Sequence, residues 1–170
     1  MVSAMVASVE QIWSWLAEVP DPEIPVISVV DLGIVRNIAW ADGDECVVTI
    51  TPTYSGCPAM LVISDGIGDA LKSHGVERWR LQTQLSPAWT TDWMTDSGKQ
   101  KLKNYGIAPP AHQVIDISRL SRRAAPALNV ACPHCGSAST RLTSQFGSTP
   151  CKALYRCDDC LEPFDYFKCH

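Results

Sequence analysis

Hydrophobic residues recur along the first two thirds of the chain with two periods, one helical and one extended. The helical period predicts helices that begin after Ser8, near Pro58 and near Asp96, and Gln11 completes a capping box with Ser8. Short β-rich runs predict strands at 26–30, 34–40, 46–51 and 76–85. This mixture predicts a small two-layer α/β domain with helices packed on a sheet.

A Gly-Cys-Pro turn lies where one predicted strand ends and the second long helix, 58–74, begins. Pro58 suits the first position of a helix, which makes Cys57 the expected N-cap. There the sulfur would face free backbone N–H groups and the positive end of the helix dipole, which favours a thiolate. Thr53 and Ser55 are candidate hydrogen-bond donors to this sulfur, or they satisfy the turn. A small buried core residue is the alternative for Cys57.

The tail contains two Cys-x-x-Cys pairs, formed by Cys132 with Cys135 and by Cys157 with Cys160. Two such turns can supply the four-sulfur tetrahedral shell that Zn²⁺ prefers, and short strands at 141–146 and 154–156 favour a zinc ribbon. About 40 residues are too few for a good core without a metal. Disulfides, a rubredoxin-like iron or an iron–sulfur cluster are the alternatives.

The composition suits a globular protein, because 46% of the 170 residues are hydrophobic. The net charge of −4 argues against a nucleic-acid-binding surface spread over the molecule. No apolar run approaches the length of a membrane span, and no targeting segment is visible. We therefore expect a cytoplasmic protein with reduced thiols, in which eight cysteines need a role other than disulfides.

Composition shifts divide the chain into three parts. We predict an α/β domain over 1–107, a linker with a possible short strand at 114–117 over 108–128, and a zinc ribbon over 129–170. Cys151 and Cys169 lie outside the two pairs and could pack or hold a second ion. A homodimer is the commonest oligomer and the default expectation.

Two motifs carry a resemblance to a known family. Asp-Pro-Glu-Ile-Pro at 21–25 and Thr-Pro-Thr-Tyr-Ser-Gly-Cys-Pro at 51–58 resemble the MIP18 family of small iron–sulfur assembly proteins. The resemblance covers about residues 8–106. It implies a compact α/β domain, an acidic loop at Asp21 and Glu23, and a reactive cysteine at Cys57.

The cysteine-rich tail resembles a more specific group of proteins. The segments 132–137, 146–157 and 161–165 resemble the D subunits of phenylacetyl-CoA 1,2-epoxidase, a bacterial system of aerobic phenylacetate breakdown. This resemblance implies an accessory role, with a di-iron oxygenase and an iron–sulfur flavin reductase as partner subunits. The chain itself has neither a di-iron Glu-x-x-His motif nor a dinucleotide-binding glycine loop.

Three functions follow as hypotheses. The first is a maturation factor, in which Cys57 is a transient ligand of iron or an iron–sulfur cluster, or carries a persulfide, near Asp21 and Glu23. The second is a structural subunit that bridges oxygenase and reductase through its zinc ribbon. The third is a stand-alone thiol-dependent enzyme built on Cys57.

Overall fold

The computed structural model describes residues 7–42, 44–54, 56–110 and 130–168, and these divide into two compact units, Met1–Lys101 and Leu102–Cys169. The predicted short strand at 114–117 lies outside the described residues. The elements of the first unit are α1 (Val9–Leu16), β1 (Val35–Ala41), β2 (Glu45–Ile50), α2 (Met60–Ser73), β3 (Trp79–Thr83) and a 3₁₀ turn at Thr91–Trp93. A third helix, α3 (Asp96–Asn104), contains the boundary between the units.

The sheet of the first unit has the order β1-β2-β3. β1 and β2 are antiparallel across the hairpin, whereas β2 and β3 are parallel because α2 connects them. The predicted α/β class is confirmed. The predicted capping box is confirmed as well: Ser8 Oγ accepts a hydrogen bond from the Gln11 N–H, and Gln11 Oε1 accepts one from the Ser8 N–H.

The helices bury their apolar stripes in the core of this unit. Ile63, Ile67 and Leu71 recur at four-residue spacing along α2 and are buried, as expected for one face of a helix. Gly68 on the same face lies directly against Trp79 of β3. A Cβ at Gly68 would lie only 2.7 Å from Trp79 Cη2, so the contact leaves no room for a side chain. This close approach brings the helix down onto the sheet.

One predicted strand is wrong. Residues 26–30 form turns, with only an isolated bridge between Pro20 and Ser28. The stretch is apolar because Ile27 and Val29 reach the core, while its backbone is satisfied locally, for example by the Asp21 N–H bond to Ile27 O at 2.8 Å. A buried loop and a buried strand look alike in composition, so the apolar run misled the prediction.

The second unit is a four-stranded sheet in the order β4-β7-β6-β5. Its strands are β4 (Ile107–Ala108), β5 (Thr140–Ser144), β6 (Lys152–Cys157) and β7 (Pro163–Phe167). The aromatic residues Phe164, Tyr166 and Phe167 all lie on β7 and are buried. Tyr155 packs against Phe164 and Tyr166, with ring centroids 5.9 and 5.5 Å apart, and burial raises the pKa of Tyr155.

Within the described part of the chain, no helix is long and apolar enough to cross a membrane.

Candidate functional site

The four paired cysteines of the tail converge on one point. The sulfur atoms of Cys132, Cys135, Cys157 and Cys160 all lie within 4.8 Å of one another. Cys132 Sγ is 3.7 Å from Cys160 Sγ, and Cys135 Sγ is 3.6 Å from Cys157 Sγ. A tetrahedral ion with bonds of about 2.3 Å to sulfur requires sulfur–sulfur edges of about 3.8 Å. The donor set therefore fits a tetrahedral thiophilic ion.

Two turns of the same design present these sulfurs. In the first turn, the Gly136 N–H donates to Cys132 O at 2.9 Å, and Gly136 has a φ of +78°. In the second turn, Leu161 occupies the matching position directly after the second cysteine and has a φ of +66°. Left-handed backbone at both positions is what lets each pair of sulfurs face the same side.

Polar contacts join the two turns. Arg141 Nη1 lies 2.6 Å from Asp158 Oδ1, and the Asp158 N–H donates to Ser139 O at 2.8 Å. The Ser137 hydroxyl also donates to the carboxylate of Asp159. These contacts align the turns without any metal ligand taking part, so the geometry of the site is partly built by the protein itself.

The electrostatics of the cluster favour loss of a proton from Cys157. A hydrogen bond from the backbone N–H of Cys160 to Cys157 Sγ, 3.5 Å long, is the main cause that lowers the pKa of this thiol to about 7. Thiolate is the form of cysteine that binds a metal. Cys135 is exposed, whereas Cys132 and Cys157 are buried, so the ion would lie at the edge of the unit.

The remaining described cysteine of the tail is not part of this cluster. Cys151 is buried, and its Sγ lies 3.0 Å from Thr149 Oγ1. This agrees with a packed residue. Cys169, the other candidate for a second ion, lies outside the described residues.

The thiol of Cys57 occupies an open loop in the first unit. The side chain is partly exposed and is not sealed in aliphatic packing. Its N–H donates to Tyr54 O at 3.4 Å, and its carbonyl accepts from the Met60 N–H at 3.2 Å. Gly56 has a φ of +85°, and a Cβ there would meet nothing within 4 Å beyond its chain neighbours, so the loop is open at Gly56.

The predicted N-cap role of Cys57 is wrong. α2 begins at Met60, and the residue at its N-cap is Ala59. Pro58 does not start the helix because Cys57 and Pro58 belong to a preceding turn closed by the Met60 N–H bond. The sulfur therefore lies one turn before the helix, and the dipole argument for a thiolate loses its geometric basis.

The other residues predicted to act with Cys57 differ in burial and in hydrogen bonding. Asp21 is buried, and its Oδ1 accepts hydrogen bonds from the backbone N–H groups of Glu23 and Ile24 at 2.9 and 2.8 Å. That oxygen therefore stabilises the proline-rich loop. Glu23 and Thr53 are partly exposed, and Ser55 lies outside the described residues. The roles of Asp21, Glu23, Thr53 and Ser55 beside Cys57 stay predictions.

These residues do not form a second cluster of metal ligands. Among the residues that the structure describes, the four tail cysteines are the one group of three or more Cys, His, Asp or Glu ligands that converge. Cys57 would therefore need ligands from outside the described residues, or from a partner, to hold an ion with more than two protein ligands.

Sequence reasoning missed one structurally important carboxylate. Asp31 accepts hydrogen bonds from the Ser28 N–H, the Thr95 hydroxyl and Lys101 Nζ at 3.1, 3.0 and 2.7 Å. It thereby ties the loop before β1 to the start of α3. Its signal in the sequence was a single acidic residue within an otherwise apolar stretch.

Family models match both parts of the chain. Residues 9–78 match the model described as "Iron-sulfur cluster assembly protein". Residues 118–168 match the model described as "PaaD zinc beta ribbon domain". The first match includes the Cys57 loop, and the second includes all four converging cysteines.

Known proteins are similar over the whole chain or over its first part. The chain is 50% identical over 161 residues to a protein of Escherichia coli that is described as the putative D subunit of 1,2-phenylacetyl-CoA epoxidase, covering 95% of this chain and 93% of that protein. It is 33% identical over 94 residues to the "Fe-S protein maturation auxiliary factor" of Porphyromonas gingivalis, covering 55% of this chain and 89% of that protein. A crystal structure of a "Domain of Unknown Function DUF59" from Bacillus anthracis superposes with a TM-score of 0.51 at 25% identity, covering 55% of this chain and 89% of that one.

Proposed function

Because the chain belongs to the family of phenylacetyl-CoA epoxidase D subunits, whose first part is an iron–sulfur assembly domain, we propose that it is a maturation factor of such an epoxidase. In this proposal it passes iron or an iron–sulfur cluster to another component of the system, the di-iron oxygenase or the iron–sulfur flavin reductase. It acts in the cytoplasm, where thiols stay reduced.

The observation that carries the proposal is the accessible thiol of Cys57. The side chain is partly exposed in a loop with open space beside Gly56. A transient ligand must release its cargo, and a partly exposed single cysteine with few neighbouring ligands binds a metal more weakly than a closed four-cysteine site. On binding iron the thiol gives its proton to solvent, and it takes a proton back when the iron leaves.

The tail cysteines have the opposite character and support a permanent structural ion. Two of their sulfur–sulfur distances, 3.7 and 3.6 Å, match the edges of a tetrahedral shell, and their turns are joined by contacts that do not involve the ligands. Zn²⁺ is the ion we assign to this site, since it has no redox chemistry and prefers closed tetrahedral thiolate shells. It would hold the ribbon together while the Cys57 loop exchanges its cargo.

The test compares the wild-type chain with Cys57→Ser in anaerobic reconstitution of the metal-free epoxidase subunits. We expect client iron content and epoxidase activity to fall at least tenfold with Cys57→Ser. The variant should keep one zinc per chain, because its ribbon ligands are unchanged. Tyr105→Ser, which also changes an exposed side chain, serves as the control and should deliver iron normally. Full client metallation by Cys57→Ser would refute the proposal.

A second candidate is a bridging component of the assembled oxygenase. The description of the Escherichia coli relative as a subunit favours it. A bridging component would copurify with active oxygenase in a fixed ratio, and Cys57→Ser would not alter the metal content of the complex. A maturation factor would dissociate after the client is loaded, so the stoichiometry of the purified complex separates the two candidates.

A further inference from the structure

The first turns of α2 expose two large aliphatic side chains next to the Cys57 loop. Leu61 is 78% exposed and Val62 is 58% exposed, while the following Ile63 is buried. Single exposed aliphatic residues are common on protein surfaces. These two are different in position, because they are adjacent and lie in the first turn of α2, a few residues after the exposed Gly56 and Pro58 on either side of Cys57.

Two carboxylates extend the same side of the helix. Asp65 and Asp69 follow Leu61 at four-residue intervals, so the three side chains lie in one row along α2. Both carboxylates are exposed. Neither makes an ion pair or hydrogen bond with a side chain in the described part of the chain. The row is therefore apolar beside the thiol and anionic further along the helix.

We propose that Leu61, Val62, Asp65 and Asp69 form a docking surface for the client protein, on which the client is held while its metal passes through Cys57. This inference rests on the proposed function. The matching client surface is an amphipathic segment with aliphatic side chains toward Leu61 and Val62, and with Lys or Arg toward Asp65 and Asp69. The row thus orients the client's metal site toward the thiol.

Charge argues against other occupants of this surface. The phosphates of a nucleic acid or of an anionic membrane would be repelled by Asp65 and Asp69. A second copy that paired antiparallel along the whole row would place Leu61 and Val62 opposite these carboxylates, which leaves neither group satisfied. A basic and aliphatic client segment satisfies both parts of the row at once.

The test measures binding of the full-length chain to the purified, metal-free oxygenase subunits and flavin reductase by calorimetry. Leu61→Glu and Val62→Glu should each weaken binding at least tenfold, since both place a charge in an apolar contact. Asp65→Lys with Asp69→Lys should also weaken binding and should reduce its salt dependence. The matched controls are Leu85→Glu, a residue that is 61% exposed in the same unit, and Glu77→Lys; both should bind within twofold of wild type.

The outcomes separate this inference from the proposed function. Binding by Leu61→Glu within twofold of wild type overturns the docking surface, even if Cys57→Ser still blocks metal delivery. Absence of measurable binding by the wild-type chain overturns it as well. A wild-type dimer that Leu61→Glu dissociates shows that a second copy is the occupant and also overturns it. Normal binding by Cys57→Ser without client metallation supports both proposals. Normal metallation by Cys57→Ser refutes the passage of metal through Cys57, and the binding of Leu61→Glu then decides whether the docking surface itself stands.

Discussion

Replacement of Asp31 tests how the loop before β1 is held to the start of α3. The carboxylate is buried and accepts three hydrogen bonds, from the Ser28 N–H, the Thr95 hydroxyl and Lys101 Nζ. Asp31→Ala would leave the buried Ser28 N–H and the partly buried Thr95 hydroxyl without this acceptor. An unsatisfied buried donor costs about 1–3 kcal/mol, so we expect the free energy of unfolding to fall by about 3 kcal/mol.

Asp31→Asn should cost much less, because a rotated amide can preserve the pattern of hydrogen bonds. Its oxygen would accept from the Ser28 N–H and Lys101, and its NH₂ group would donate to Thr95 Oγ1. The loss is then mainly that of the negative charge. Since Lys101 is about half exposed, its ion pair with Asp31 contributes at most about 1 kcal/mol. We expect a loss of about 1 kcal/mol for Asp31→Asn and a similar loss for Lys101→Met.

The effect should depend on pH in a defined direction. Burial of Asp31 acts to raise its pKa, but the hydrogen bonds from Lys101, Ser28 and Thr95 outweigh burial, and the net pKa is lowered. A carboxyl with a lowered folded pKa stabilises the protein above its unfolded pKa of about 3.9 and loses this contribution as the pH falls through the folded pKa. The stability difference between wild type and Asp31→Asn should therefore be constant from pH 5 to 8 and should disappear at acid pH.

Tryptophan fluorescence during urea unfolding provides the assay. All six tryptophans lie within residues 13–93, so the signal reports the first unit. Lys101→Met is the control that removes the ion pair but keeps the two other hydrogen bonds. If Asp31→Ala proves no less stable than Asp31→Asn, the hydrogen bonds do not hold the loop, and the reasoning is refuted.

Two glycines give the remaining predictions. Gly68→Ala should lower the free energy of unfolding of the first unit by about 1–2 kcal/mol in the same fluorescence assay, because the added Cβ would press on Trp79. Gly66→Ala is the control and should be near neutral, because its Cβ would meet only one methyl group, at 3.1 Å. If the ribbon holds the proposed zinc, Gly136→Ala should release it at a lower chelator concentration than wild type. The φ of +78° at this position strains an alanine by about 1 kcal/mol, although no atom lies in the way of its Cβ. Leu161→Gly removes the backbone strain at the equivalent position of the second turn and should hold the ion at least as well as wild type. Release of the ion from Leu161→Gly at a lower chelator concentration than from Gly136→Ala would contradict this explanation.

Local signals in the sequence were sufficient for much of the fold. Three of these signals depend only on residues a few positions apart. They are the capping box at Ser8, the helical spacing of Ile63, Ile67 and Leu71, and the left-handed glycine that follows α2. The four-cysteine cluster was predictable for the same reason. Each Cys-x-x-Cys turn is a local structure, and the chemistry of the metal leaves little choice about how two such turns combine.

Other features depended on backbone hydrogen bonds that the hydrophobic pattern does not record. The apolar run at 26–30 became turns because the core needed its side chains, while the Asp31 carboxylate and nearby backbone groups satisfied its backbone. The start of α2 shifted to Met60 because the preceding turn took up Cys57 and Pro58. Periodicity records which side chains are buried, and it does not record which backbone groups close a turn.

The α/β class, the ribbon and the four candidate metal ligands could be inferred from residue types and their short-range spacing. The anchoring of α3 by Asp31 across more than 60 residues, the partial exposure of Cys57 in a turn before α2, and the exposure of Leu61 and Val62 on that helix appear only in the folded chain. Exposure and long-range hydrogen bonds depend on how the elements pack. Packing is a property of the whole chain and not of any segment.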